Sequence, residues 1–144
     1  MKILQHKSLL FLLGFTSFFI ACNTTTEVSV SDDATIESMY FQNNDSSPNL
    51  SDAVFIIDDE NGLIYNVDSL PYQTRVDSAY ASFSFASTNG YLINDTFPET
   101  AYTTSTAYDF SKPVKLTNYA SDGKTKKEYT IKVNVHQVET YLHV

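Results

Sequence analysis

From Val114 to Val135 the chain reads VKLTNYASDGKTKKEYTIKVNV, and this stretch decides the fold. In its second half Tyr129, Ile131, Val133 and Val135 alternate with Glu128, Thr130, Lys132 and Asn134. A period of two puts the apolar set on one face of a strand and the polar set on the other, the pattern of an antiparallel strand with one wet face. Val114–Tyr119 predicts a second strand. It is entered through Pro113, which suits a strand's first position because proline has no N–H to give to a ladder. Asp122-Gly123 between the two marks a tight turn, since glycine takes positive φ at little cost. These strands are expected to be antiparallel neighbours.

Working outward, other short segments carry strand signals. Thr35–Phe41 (TIESMYF) is β-branched and aromatic with imperfect alternation. Ala53–Ile57 (AVFII) is nearly continuous apolar sequence, expected to be a central strand covered on both sides at one end. Gly62–Tyr65 follows the turn-forming DDENG, and Ala79–Phe85 (AYASFSF) sets Ala79, Ala81, Phe83 and Phe85 on one face. Gly90–Ile93 is a further short strand. Tyr102–Phe110 reads as an edge strand or an ordered loop, with the edge strand preferred, and Asn43–Asp52 as a plain surface loop. No stretch of 11 or more residues carries a helical stripe. The fold class is therefore expected to be all-β: a two-sheet β-sandwich of about seven strands over residues 34–138, with 139–144 as a short tail.

The amino-terminal residues read differently. Lys2 and Lys7 precede the uncharged run LLFLLGFTSFFIA from Leu9 to Ala21. That run is too short for a comfortable membrane span, which needs about 20 apolar residues, and fits the core of a secretory signal peptide. It ends at Ala21-Cys22, a small residue before a lone cysteine, as in a bacterial lipoprotein signal. Phe19 stands where a smaller Leu is usual. Residues 1–21 are thus expected to be a lipoprotein signal peptide and Cys22 the lipidation site, its sulfur taking the lipid and its amino group a fatty acid such as palmitate. More than one buried chain meets the condition for stable anchoring, at about 0.8 kcal/mol per methylene. Soluble export with Cys22 as a spare thiol, and an uncleaved anchor, remain the alternatives. Residues 22–33, continuing NTTTEVSVSDD after the cysteine, are expected to be a lipidated flexible tether, reaching about 35 Å when extended.

Composition narrows the partners. The 144 residues carry 9 Lys+Arg against 17 Asp+Glu, a net charge of -8, so no nucleic acid is expected as a ligand. Removing Lys2 and Lys7 with the leader takes the charge from -8 to -10, and anionic headgroups would repel such a body. The lipid bilayer is then a partner only through acylated Cys22. A single cysteine also excludes an internal disulfide and any multi-cysteine metal site.

Two segments carry a resemblance: IDDENGLIYNVDSLPYQTRV at 57–76, with GLIYNVDSLP its more specific part, and VKLTNYASDGKTKKEYTIKVNVH at 114–136. With Asp33-Ala34-Thr35-Ile36-Glu37-Ser38 they resemble the amino-terminal, immunoglobulin-like or cadherin-like domain of an uncharacterised Bacteroidales lipoprotein family. Members typically continue into a Kelch-like β-propeller, which is absent from this chain as it stops at Val144. The resemblance covers about Asp33 to Gln137. It implies an immunoglobulin-like sandwich in the cell envelope, at the outer membrane. The periplasmic and exterior faces are both open, and the resemblance supplies no catalytic residues.

Few residues point to chemistry. Asp58, Asp59 and Glu60 form the densest acidic cluster and are weak candidates for a cation, since hard cations take oxygen ligands; a solvated turn is the plainer reading. His136 and His143 lie near the end and are not expected to bind metal together. No Gly-x-Ser-x-Gly elbow and no glycine-rich phosphate loop occurs, so no cofactor and no catalytic residue is assigned. The chain is expected not to be an enzyme. Ten tyrosines, with Tyr65, Tyr72, Tyr80, Tyr91, Tyr102, Tyr108 and Tyr119 in the body, are the one abundant recognition group. The expected role is a non-catalytic spacer, adhesion or protein-assembly module, whose partner is an envelope protein. The alternative is a carbohydrate-binding accessory lipoprotein of a glycan-uptake system, whose ligand is a glycan. The first predicts a smooth surface without a deep polar cleft, plus an exposed edge or aromatic patch. The second predicts two or more Tyr or Phe rings lined up in a shallow groove beside Asp, Asn or Gln.

Overall fold

The computed structural model describes residues 29–43, 49–98 and 106–138. The signal peptide (1–21), Cys22, the first residues of the tether and the tail (139–144) lie outside the described residues. Among those described, eight strands run in the order β1 (Ile36–Phe41), β2 (Phe55–Asp58), β3 (Leu63–Asn66), β4 (Ala79–Phe85), β5 (Gly90–Ile93), β6 (Ala107–Tyr108), β7 (Val114–Tyr119) and β8 (Lys126–Lys132). They form two sheets, β1-β4-β6 and β2-β3-β8-β7-β5, packed as a β-sandwich.

The β7–β8 hairpin is antiparallel as expected, from Val114 opposite Ile131 to Tyr119 opposite Lys126. Gly123, at φ 67°, sits in its turn. β8 begins two residues before the expected Glu128 and ends at Lys132; Val135 continues as a single parallel bridge to Leu70. Inward residues of both sheets meet in one core. Ile36, Met39, Phe41, Ala79 and Ala81 come from the smaller sheet, and Ile64, Leu116, Tyr129 and Ile131 from the larger. Each large aliphatic or Phe side chain so buried is worth about 1.5–3 kcal/mol. Phe41 packs edge-on against Phe55 and Phe110, at centroid distances of 5.1 and 5.0 Å.

The imperfect alternation of the first strand has a structural cause. The register shifts between Ile36 and Ser38, so a β-bulge absorbs one residue and returns Met39 and Phe41 to the core.

Two expectations need correcting. The apolar run at 53–57 is an edge strand rather than a central one, because β2 ends the five-stranded sheet. Its outward residues Val54 and Ile56 are 66% and 40% exposed, so only the Phe55/Ile57 face is covered. The 43–52 loop is not a plain surface loop: it closes in a single 3₁₀ turn, Leu50–Asp52, that drives Leu50 into the core at 0% exposure. The segment at 102–110 supplies an edge strand as preferred, the two-residue β6, which pairs with Ala79 and Tyr80 at the margin of the smaller sheet; residues 99–105 lie outside the described set.

The parallel pairing of β3 with β8 was not expected. Gly62 permits it. Its φ is 62°, and a Cβ there would stand 2.9 Å from the Glu128 carbonyl oxygen. Its own carbonyl accepts from Thr130 N–H at 2.8 Å.

Candidate functional site

An open concavity lies where the chain leaves β8. A groove of about 460 Å³ runs between the 72–77 segment and the 133–137 extension, with Ser111 at its border. Its geometry starts at Asn66, the last residue of β3 and 2% exposed. The Asn66 side-chain amide donates to the Asp68 and Asn134 carbonyls at 2.7 and 2.8 Å. Its oxygen accepts from Asn134 N–H at 2.7 Å. Leu70 continues the clamp, donating to Asn134 O at 2.9 Å and accepting from His136 N–H at 2.7 Å. One wall is thereby fixed to the other.

Pro71 through Thr74 then turn tightly, with Thr74 N–H donating to Pro71 O at 3.0 Å. Gln73, the third residue of this turn, holds φ at 65°, a value for which glycine or asparagine is the usual choice. Tyr72 is half-exposed at the turn's corner. The far end of the segment is tied down by Val76, which is buried and accepts from Phe110 N–H at 2.8 Å. With Val76 turned inward, Arg75 and Asp77 flank it on the outside and pair with each other, Nε–Oδ1 at 3.3 Å and Nη2–Oδ2 at 3.2 Å. Arg75 holds the Asp77 carboxyl below its usual pKa, while Asp109 pushes it the other way. The site thus presents a ring, an amide, a guanidinium–carboxylate pair and an imidazole on two tied segments. Such a set can stack on and hydrogen-bond a polar, hydroxylated ligand.

The acidic cluster expected as a weak cation site is spent otherwise. Asp58 closes the β2–β3 turn by accepting from Asn61 N–H at 3.0 Å and its side-chain amide at 2.8 Å. Asp59 pairs with Lys127 at 2.6 Å and accepts the hydroxyl proton of buried Tyr129. These partners hold Asp59 low, whereas burial and the Asp59 charge push Tyr129 up to about 12. Glu60 is exposed. Among the described residues no group of three or more His, Cys, Asp or Glu converges as metal ligands do.

Of the tyrosines singled out in sequence, Tyr72 lines the groove; it is the one Tyr or Phe ring there among the described residues, where the glycan reading expected two or more. Tyr91 packs instead against Phe83 and Phe85 across the sandwich, at 5.8 and 5.2 Å. Gln73, Arg75 and Asp77 were not singled out, and His136 was noted only as a poor metal ligand. A signal existed: Pro-Tyr-Gln-Thr is a turn opening that places an aromatic at an exposed corner.

The sandwich is similar to one solved structure described as that of "a putative glycoside hydrolase" from Bacteroides thetaiotaomicron. The TM-score is 0.50 and the identity 25%, over 79% of this chain and 28% of that one. This chain therefore spans under a third of its structural relative. The likeness overturns the expectation that the chain is not an enzyme, because a domain of this fold sits within a chain described as "a putative glycoside hydrolase". No curated protein matches. Residues 19–133 match the family model "Domain of unknown function (DUF6242) N-terminal domain", and the chain belongs to that family.

Proposed function

We propose that the domain is a carbohydrate-binding module of a glycan-handling cell-envelope lipoprotein. The observation that carries it is the clamped groove, in which Tyr72 offers a ring face beside the hydrogen-bonding side chains of Gln73, Arg75, Asp77 and His136. A spacer needs no such concavity, so the groove favours the glycan reading over the spacer, adhesion or assembly reading. The likeness to a chain described as a glycoside hydrolase supports the same side. Domains that hold a polymer beside a hydrolytic site raise the local concentration of its bonds, which suits a small module joined to a larger enzyme.

In this reading the sandwich is immunoglobulin- or cadherin-like, of the kind that precedes a propeller in related lipoproteins. Cys22 carries the acyl chains that hold it to the outer membrane. Comparing detergent partitioning of the wild type with Cys22→Ala tests the anchor, and unchanged partitioning would count against it.

The groove is tested on the full chain, held in mild detergent, by a glycan array followed by titration calorimetry. Binding is expected, and Tyr72→Ala is expected to weaken it about tenfold or more, as loss of a ring anchor does. Absence of binding across the array, or an unaltered affinity in Tyr72→Ala, would refute the site.

A further inference from the structure

If the groove is a sugar site, its charge pattern indicates which sugars it admits. Among its lining residues there is one cation, Arg75, and one carboxylate, Asp77, and they face each other in a two-point contact. Their charges cancel. An anionic sugar, carrying a carboxylate or sulfate, would have to displace Asp77 from Arg75 or lie against a carboxylate. Either course costs the complementarity that an anion needs. Asp109 also acts on Asp77 electrostatically, and Lys112 acts on Asp109 in turn. The whole chain carries a net charge of -8.

An uncharged sugar meets no such conflict. Each hydroxyl is at once a donor and an acceptor. Of two adjacent hydroxyls, one can donate to the Asp77 carboxylate while its neighbour accepts from the Arg75 guanidinium, and the pair need not part. Both side chains are more than half exposed, at 64% and 53%, and so can be reached. The fork is also held in place: Val76 between them is buried and bonded to Phe110. Gln73 and Ser111 extend the neutral hydrogen-bonding surface to either side.

We propose that the groove selects uncharged sugars bearing adjacent hydroxyls, and that the Arg75–Asp77 pair is the element that reads them. This rests on the carbohydrate reading given above.

The experiment titrates the full chain in detergent with two probe sets, neutral gluco- and manno-oligosaccharides, and oligosaccharides bearing uronate or sulfate. The wild type is expected to bind the neutral set and to bind the charged set at least tenfold more weakly. Asp77→Asn leaves the shape but removes the carboxylate charge that faces Arg75. It is expected to lose about tenfold toward neutral sugars and to gain affinity for uronate, with a gain that fades in high salt. A merely destabilised protein would lose affinity for both sets, so the opposed changes separate recognition from folding. Arg75→Gln is expected to lose neutral binding without gaining uronate binding.

Wild-type preference for the charged set would overturn the selectivity and leave the carbohydrate reading standing. Neutral binding unaltered in both variants would overturn the role of the pair alone. No binding of either set would end the carbohydrate reading, and this inference with it.

Discussion

Gln73 and Gly62 both hold positive φ, and their surroundings give the two conformations different meanings. At Gly62 a side chain would strike the Glu128 backbone, so the residue serves the β3–β8 pairing. At Gln73 a side chain is present despite a conformation that costs a non-glycine residue roughly 1–2 kcal/mol. On the proposed reading, this long amide on the rim of the groove is there to meet the sugar. Gln73→Gly separates the two demands. The turn keeps its φ, and the relief of strain is offset by the extra freedom of glycine in the unfolded chain. Urea unfolding is expected to shift by less than about 1 kcal/mol, while glycan affinity falls several-fold. Affinity equal to the wild type's would show that the amide has no part in binding.

Among the elements, the groove depends on a junction rather than on any one strand. Asn66 ends β3, Asn134 lies just past β8, and two hydrogen bonds of the buried Asn66 side chain join them, while a third holds Asp68. Asn66→Ala would leave the Asn134 N–H and the Asp68 and Asn134 carbonyls with fewer partners at a part-buried junction. A cost of about 1–2 kcal/mol is expected from this. Hydrogen exchange gives the local check: the Leu70 and His136 amides, which bridge the two walls, should lose protection more than the Leu116 amide in β7. Uniform loss over all three would mean that Asn66 supports the fold generally and not the groove. This junction was illegible in the sequence, and the reason is physical. Alternation and turn residues are local signals, so the β7–β8 hairpin and the inward face of β4 could be read directly. The parallel pairing of β3 with β8 joins segments far apart in the chain, where no turn fixes the partner. The apolar run at β2 misled for a related reason. Hydrophobicity tells how much of a strand can be covered, whereas strand order decides how much is, and Val54 and Ile56 stay uncovered at the edge. Tyr72 could be named only as one tyrosine among many. Its neighbours Arg75 and Asp77 look like ordinary surface charges until buried Val76 turns both outward.

Over the whole molecule, the proposed anchor and the groove lie at opposite ends of one strand. The last residues of the expected tether are already fastened to the sandwich. Ser31 O accepts from Asp122 N–H at 3.0 Å, and Ser87 Oγ donates to Asp33 O at 2.8 Å. The described end of the expected tether therefore lies beside the β7–β8 turn. From that turn β8 runs away to Lys132 and on to the groove residues Val133, Val135 and His136. Ten or so extended residues cover roughly 30 Å. With Lys2 and Lys7 removed the body's charge goes from -8 to -10, so it is also repelled by anionic headgroups and has no reason to lie flat on them. With Cys22 acylated, the domain would stand with its turn toward the bilayer and its groove toward the solution, where a polymer can enter. The arrangement is testable because a lipidated Cys22 leaves no other thiol. Lys124→Cys, at the turn, and Gln137→Cys, at the groove, can each carry a donor dye in the acylated protein on vesicles containing an acceptor-labelled lipid. Energy transfer is expected to be several-fold stronger from position 124 than from 137, and to stay so in high salt, since a covalent anchor and not surface charge sets the orientation. Equal transfer from both positions would mean a domain that tumbles on its leash. Stronger transfer from 137 would place the groove against the membrane, where a large glycan could not reach it.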